Sequence, residues 1–228
     1  LITAIIAALV LVVVTTALRL DRKSEIRFVV LACFSIGLGA ALTPIGEPLS
    51  TIAISKLNED FYFLIRLIGP EILTALVLLG LVAALLVSPP KTGQGSFSKK
   101  PSGEGYEEIL SRALKIYFFV MGLTFLGAGF EPLINKYFIG LNPALLYWIN
   151  MISAILDNAT LTAAEISPVM DHVTIQSILL GLLISGGMLI PGNIPNIIAA
   201  GKLQITSKEW AQFGVPVGLI TMLVYFIA

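Results

Sequence analysis

Met188-Leu189-Ile190-Pro191-Gly192-Asn193-Ile194-Pro195-Asn196 lies inside a run, Val173 to Gly201, that contains no Asp, Glu, Lys or Arg. An uncharged stretch of that length predicts passage through a bilayer. Two prolines, a glycine and two asparagines near its centre predict that the helix opens there. In hydrocarbon, opened backbone is tolerated only against protein or in a wet cavity. A simple proline kink would explain the stretch if it stood alone, but Thr43-Pro44-Ile45-Gly46-Glu47-Pro48 interrupts another apolar segment, Phe28 to Ser55, in the same way. Glu47 is the only charge in that segment.

The whole chain has the composition such a reading requires. Of 228 residues, 57% are hydrophobic and 12% charged, and the mean hydropathy is +0.94, which predicts an all-α polytopic membrane protein rather than a soluble domain. Its expected surroundings are a lipid bilayer and, by localisation, the cytoplasmic membrane. Formal net charge is zero and the basic residues sit in short connectors, so no clustered basic face for nucleic acid is expected. Cys33 is the only cysteine and His172 the only histidine, which excludes an internal disulfide and a Cys/His metal cluster. The sequence starts at Leu1, already in apolar residues, and reads as N-terminally incomplete.

Taken in order, Leu1 to Leu18 is apolar and ends at Arg19, Arg22, Lys23 and Arg27. The interrupted segment follows, closed by Asn58-Glu59-Asp60, and then Phe61 to Val87, with Arg66 and Glu71 flanking Gly69-Pro70. A stretch rich in Pro, Gly, Ser and Lys, 89–108, predicts a cytoplasmic linker between a first part, 1–88, and a second, 109–228. The second part holds Ile109 to Phe130, Tyr137 to Leu156 ending at Asp157-Asn158, the run quoted first, and Trp210 to Ala228.

The two parts look like copies. Leu1 to Ala8 aligns with Met151 to Asn158 at a spacing of 150, and Pro44-Ile45-Gly46-Glu47-Pro48 with Pro191-Gly192-Asn193-Ile194-Pro195 at 147, the glycine displaced by one. Lys56-Leu57 aligns with Lys202-Leu203, and Pro70 with Pro216, at 146. The constant order of these weak matches predicts duplication.

Charge orients the copies. Lys and Arg collect in cytoplasmic connectors, which puts Arg19 to Arg27, the linker, and the turn with Lys202 and Lys208 inside, and Asn58 to Asp60 outside. That assignment holds only if Pro143 to about Met170 is a re-entrant hairpin with Asp157-Asn158 at its tip. Each arm, at about 20 Å, would be too short to cross a core of about 30 Å. A single spanning helix through Tyr137 to Leu156 is the alternative that hydropathy alone favours. With the hairpin, the halves are inverted repeats with broken transmembrane helices.

Ile155-Leu156-Asp157-Asn158-Ala159-Thr160, Gly186-Gly187 with Pro191 to Asn196, and Leu42 to Pro48 resemble the paired signatures of the ion transporter superfamily. That group includes D-type sodium/proton antiporters, arsenite permeases and divalent anion symporters, and the nearest likeness is to a prokaryotic family of predicted cation transporters. The resemblance implies hairpin tips and broken helices around one ion site, and such transporters are expected to expose surface for a homodimer. Two departures stand out: Ala7-Ala8 takes the place of Asp157-Asn158 in the first part, and the Ser-Asn-Thr signature of the anion symporters is missing.

An ionised Asp near the bilayer centre costs roughly 2.5 to 3.5 kcal/mol on insertion scales, so Asp157 is the first candidate to bind Na⁺ and H⁺ alternately. Its bland role is to cap the helix that starts at Ala159. Asn158 and Thr160 would add neutral oxygens, Asp157 and Asn158 being the expected Na⁺ ligands. Glu47 is the second carboxylate, with Thr43, Gly46 and Ser50 nearby; the alternative is a glutamate at an interface. Gly192, Asn193 and Asn196 would bring carbonyls and amides to the same place. Glu71 and Glu165 are expected at the interfaces. No cofactor and no enzyme activity are expected, because an intramembrane aspartyl protease needs two Asp residues in apolar runs and only Asp157 qualifies. The expected function is sodium/proton exchange by alternating access; transport of arsenite or a small anion on the same scaffold, or an ion channel, are the alternatives.

Overall fold

In a computed structural model, residues 3–88 and 140–227 are described throughout, with isolated positions between 110 and 137. The expected linker at 89–108, and the expected span at 109–130 apart from isolated positions, lie outside the described residues. The described residues form helices and turns, with no strand among them. Their helices are α1 (Ala4–Leu18), α2 (Arg22–Ala40), α3 (Pro48–Leu57), α4 (Phe63–Leu86), α5 (Pro143–Ile149), α6 (Asn158–Glu165), α7 (His172–Gly186), α8 (Ile194–Leu203) and α9 (Ser207–Ile227). Single 3₁₀ stretches, Asn150–Ala154 and Ile190–Gly192, follow α5 and precede α8. Helices α4 and α9 are long and apolar enough to cross a membrane.

The centre is made by α2 and α7, which touch each other. Every residue of α7 from Ile178 to Gly186 is buried, as expected of an interior helix apolar on all sides. The outer helices expose apolar chains instead, among them Val13 on α1, Leu73, Val77 and Leu81 on α4, and Ile220 and Leu223 on α9.

The same order of elements recurs in the two parts. Asp21 caps α2 by accepting from the Ser24 amide at 3.2 Å, and Asp171, 150 positions later, caps α7 from the Thr174 amide at 2.7 Å. At the two breaks the spacing is 146: Glu47 has φ −154° and ψ 161°, and Asn193 φ −152° and ψ 146°. At the same spacing, α3 and α8 end on left-handed residues, Asn58 (φ 55°) and Gln204 (φ 53°). Pro70 inside α4 and Pro216 inside α9 keep it too. Helix α2 has 19 residues and α7 has 15, so the change of spacing is about one helical turn, which keeps each buried face in phase. The alignment at 147 is thereby corrected: Gly46 corresponds to Gly192, and the prolines are displaced instead. The pairing of Ala7 with Asp157 shifts as well, because the residue capping α1 as Asp157 caps α6 is Thr3.

Contacts between the parts are exchanged in pairs. Helix α1 packs on α8 while α6 packs on α3, and α9 packs on α2 while α4 packs on α7. Arg22, at the start of α2, reaches the far end of the second part: its Nε and Nη2 each donate to Glu209 at 2.9 Å, and Nη2 also to the Gln204 carbonyl at 2.9 Å. Arg27 donates to the Leu86 carbonyl at 3.0 Å, which brings the end of α4 to the same face. At the start of α7, His172 meets the ring of Phe63 at the start of α4, with centroids 5.7 Å apart.

Candidate functional site

The backbone of each break is determined by close packing that only glycine permits. A Cβ on Gly46 would stand 1.8 Å from the Ala40 carbonyl oxygen, and one on Gly192 would stand 2.6 Å from the oxygens of Gly186 and Ser153. Each break is then closed by a side chain at equivalent positions. Ser50 Oγ donates to the Ala41 carbonyl at 2.9 Å, and Asn196 Nδ2 donates to the carbonyls of Gly186 and Leu189, each at 2.9 Å. The bonds to Ala41 and Gly186 serve carbonyls that the ended helices leave without helical partners, while the Leu189 carbonyl also accepts from the Gly192 amide at 3.4 Å. Helix α9 seats the second break: Trp210 Nε1 donates to the Gly187 carbonyl at 3.1 Å, and Gly214 and Gly218 make room for Met188.

Glu47 and Asn193 head α3 and α8, and neither side chain caps its own helix. Both are buried, at 6% and 3% exposure, and withdrawing a polar group from water costs free energy unless it finds a partner. Glu47 Oε1 has no hydrogen-bond partner. The charged group that acts on it is the Asp157 carboxylate, of like sign. Asn193 reaches toward α2, its Nδ2 2.5 Å from where a Cβ on Gly37 would stand.

Asp157 takes the capping role weighed for it in the sequence. Its Oδ2 accepts from the Thr160 amide at 3.0 Å and the Thr160 hydroxyl at 3.2 Å, which leaves Thr160 as a group that fixes the carboxylate. The side chain remains half-buried. Asn158, at 3% exposure, has an Nδ2 without a partner and lies beside Gly186, 3.5 Å from where its Cβ would stand. Glu47, Asp157, Asn158, Gly192 and Asn196 are thus neighbours in series. Thr43 and Gly46 instead line a cavity of about 410 Å³ with Ala4, Ala7 and Ile65, while the Gly46 carbonyl accepts from the Ala4 amide at 2.9 Å. Two carboxylates within electrostatic reach repel when both are ionised, and a proton or a cation bound at either one relieves the repulsion. Among the described residues no three His, Cys, Asp or Glu side chains gather into a metal cluster.

The family model described as a protein of unknown function, DUF1646, matches residues 1–228. The chain belongs to this family. No curated protein matches it. In this DUF1646 chain, a set of buried polar groups at the far end of α6 from Asp157 was not expected from the sequence. Glu165, expected at an interface, is only 5% exposed, and Asn150, Ser153 and Ser185 are wholly buried. Ser185 Oγ donates to the Asn150 carbonyl at 2.8 Å. The available signal was the small-residue row Gly181, Ser185, Gly186 on α7, which lets the 3₁₀ stretch approach closely. Glu71 is half-buried and accepts from Gln176 Nε2 at 2.9 Å, while Arg66 pairs with Asp60 at 2.7 Å rather than with Glu71.

Proposed function

We propose that this chain is a secondary active transporter of the cytoplasmic membrane that exchanges a monovalent cation, Na⁺, for protons by alternating access. The observation that carries the reading is the Glu47 carboxylate, buried at a helix break without a partner for Oε1 and within electrostatic reach of the like charge of Asp157. Such a pair binds a proton or a bare cation and gives up one for the other.

Multi-pass insertion as inverted repeats is supported by the contacts. The ties from Arg22 to Gln204 and Glu209 gather the start of α2 with the α8–α9 turn, while His172 gathers the start of α7 with α4. The first of these faces carries Arg19, Lys23, Arg27, Lys202 and Lys208, which makes it the cytoplasmic one. The hairpin reading is supported by a cavity of about 510 Å³ lined by both Leu141–Pro143 and Val169–Asp171, because the two ends of the segment then open on one side.

A second reading has one observation behind it. Helices α3, α6 and α8 all start in this region, and helix N-termini favour anions. Three half-charges sum to roughly +1.5 against about −2 for two ionised carboxylates, so the site favours a cation while both are ionised and an anion once either is protonated.

Asn caps a helix as well as Asp, so Asp157→Asn removes the charge and keeps the fold. In proteoliposomes holding a pH-sensitive dye, an imposed Na⁺ gradient is expected to drive proton flux in the parent and none in the variant. Undiminished flux in Asp157→Asn refutes the site, and arsenite-driven flux in its place favours the anion reading.

A further inference from the structure

We propose that Glu165 and Asn150 form a second monovalent-cation site inside the hairpin, distinct from the Glu47–Asp157 pair; the proposal rests on the reading of the chain as a cation transporter. Glu165 ends α6, eight residues and about 12 Å along the helix from Asp157, too far to share one ion. Its Oε2 has no partner, and neither the amide nitrogen nor the amide oxygen of Asn150 has one. The two side chains face each other from opposite arms without a well-formed hydrogen bond between them. With Glu165 5% and Asn150 0% exposed, this leaves three buried polar atoms without a protein partner close together. Buried polar groups are satisfied in the great majority of cases, and exceptions mark a missing water or ion.

The place is also held rigidly. Ser185 Oγ donates to the carbonyls of Asn150 and Gly181 at 2.8 and 2.6 Å. Gly181 lacks the Cβ that would meet the Tyr147 carbonyl oxygen at 2.6 Å and the Asn150 Cβ at 3.1 Å. Asn150 is thereby pinned against α7 with its amide turned toward the other arm. Chemistry selects the ion: a carboxylate oxygen and an amide oxygen are hard donors, suited to Na⁺. The C-terminal end of α6 adds partial negative charge. The ammonium of Lys56 meets that end at the Ala163 carbonyl, 2.8 Å away, rather than at the Glu165–Asn150 contact.

Radioactive Na⁺ binding to the purified protein, counted per chain, tests the proposal. Two ions are expected for the parent, one for Glu165→Gln, one for Asp157→Asn and none for the double variant. Asn150→Ala, which keeps the carboxylate, is expected to weaken the second ion about tenfold. Thiol labelling of buried Cys33 on heating verifies that each variant is folded. A parent that binds a single Na⁺, lost in Asp157→Asn and kept in Glu165→Gln, overturns this site and leaves the exchange reading standing. Binding of no Na⁺ by any form overturns both.

Discussion

Gly46→Ala should be among the most damaging single-methyl changes available in this chain. The new Cβ would lie 1.8 Å from the Ala40 oxygen, 2.6 Å from its carbonyl carbon and 2.9 Å from its Cα. All three are backbone atoms at the end of α2, so no rotamer change relieves the clash, and the break must open by about 1.5 Å to restore even a tight contact. Opening it pulls on the Ala4 amide and on Ser50, which bridge the break from α1 and α3. Overpacking costs about 1 to 3 kcal/mol, and a rigid neighbour places this case near about 3. In a chain of this length each kcal/mol lowers the melting temperature by about 2 to 4 °C, which predicts a drop of about 6 to 12 °C. The protein carries its own reporter: Cys33 is the single cysteine and 1% exposed, so a thiol-reactive dye fluoresces only as the core opens. Gly80 on α4 has nothing within 4 Å of its would-be Cβ, and Gly80→Ala should match or slightly exceed the parent. If Gly46→Ala melts within about 2 °C of the parent, the tight break is not what holds α2 and α3 together.

Glu47→Gln preserves shape at the other half of the carboxylate pair, and should abolish Na⁺-driven proton flux without lowering the Cys33-reported melting temperature; retained flux would remove Glu47 from the mechanism. Ser50→Ala strands the Ala41 carbonyl and Asn196→Ala the Gly186 carbonyl, at about 1 to 3 kcal/mol per stranded group, while the Leu189 carbonyl keeps the Gly192 amide, so the two variants should lose comparable stability in the same melting assay. The Thr174 amide holds the Asp171 carboxyl below the usual aspartate range, so this cap stabilises fully above the ordinary aspartate pKa and fades as pH falls through the lowered value. Asp171→Asn should flatten that acid limb of the melting temperature against pH, and an unchanged limb would show that the cap is not its source.

Much of the fold could be read from punctuation in the sequence. Paired breaks in apolar runs and the aspartate at 157 were enough to expect helices with interruptions near residues 43–48, 157 and 190–196. The register at the breaks was misjudged by one residue because prolines dominate the eye, whereas the packing constraint falls on Gly46 and Gly192, where carbonyls come within 2.6 Å of the missing side chain. Sequence shows that Ser50 and Asn196 are polar and not which carbonyls they meet: Ser50 Oγ and Asn196 Nδ2 donate across the breaks, while Asn196 Oδ1 has no partner. Glu165 was misassigned for a related reason. A charge that ends an apolar run ordinarily marks the water boundary, and only the fold of the arm back against α7 and α3 buries it.

The extra turn in α2 has a consequence for travel. Four added residues lengthen that helix by about 6 Å, a little over one turn, which leaves its buried face nearly in phase, so the first break stands farther from its own connector than the second does from its own. The two approaches to the carboxylates are therefore unequal in depth. In the proposed exchanger, an ion would cross about 6 Å more of the membrane field on the α2 side than on the α7 side.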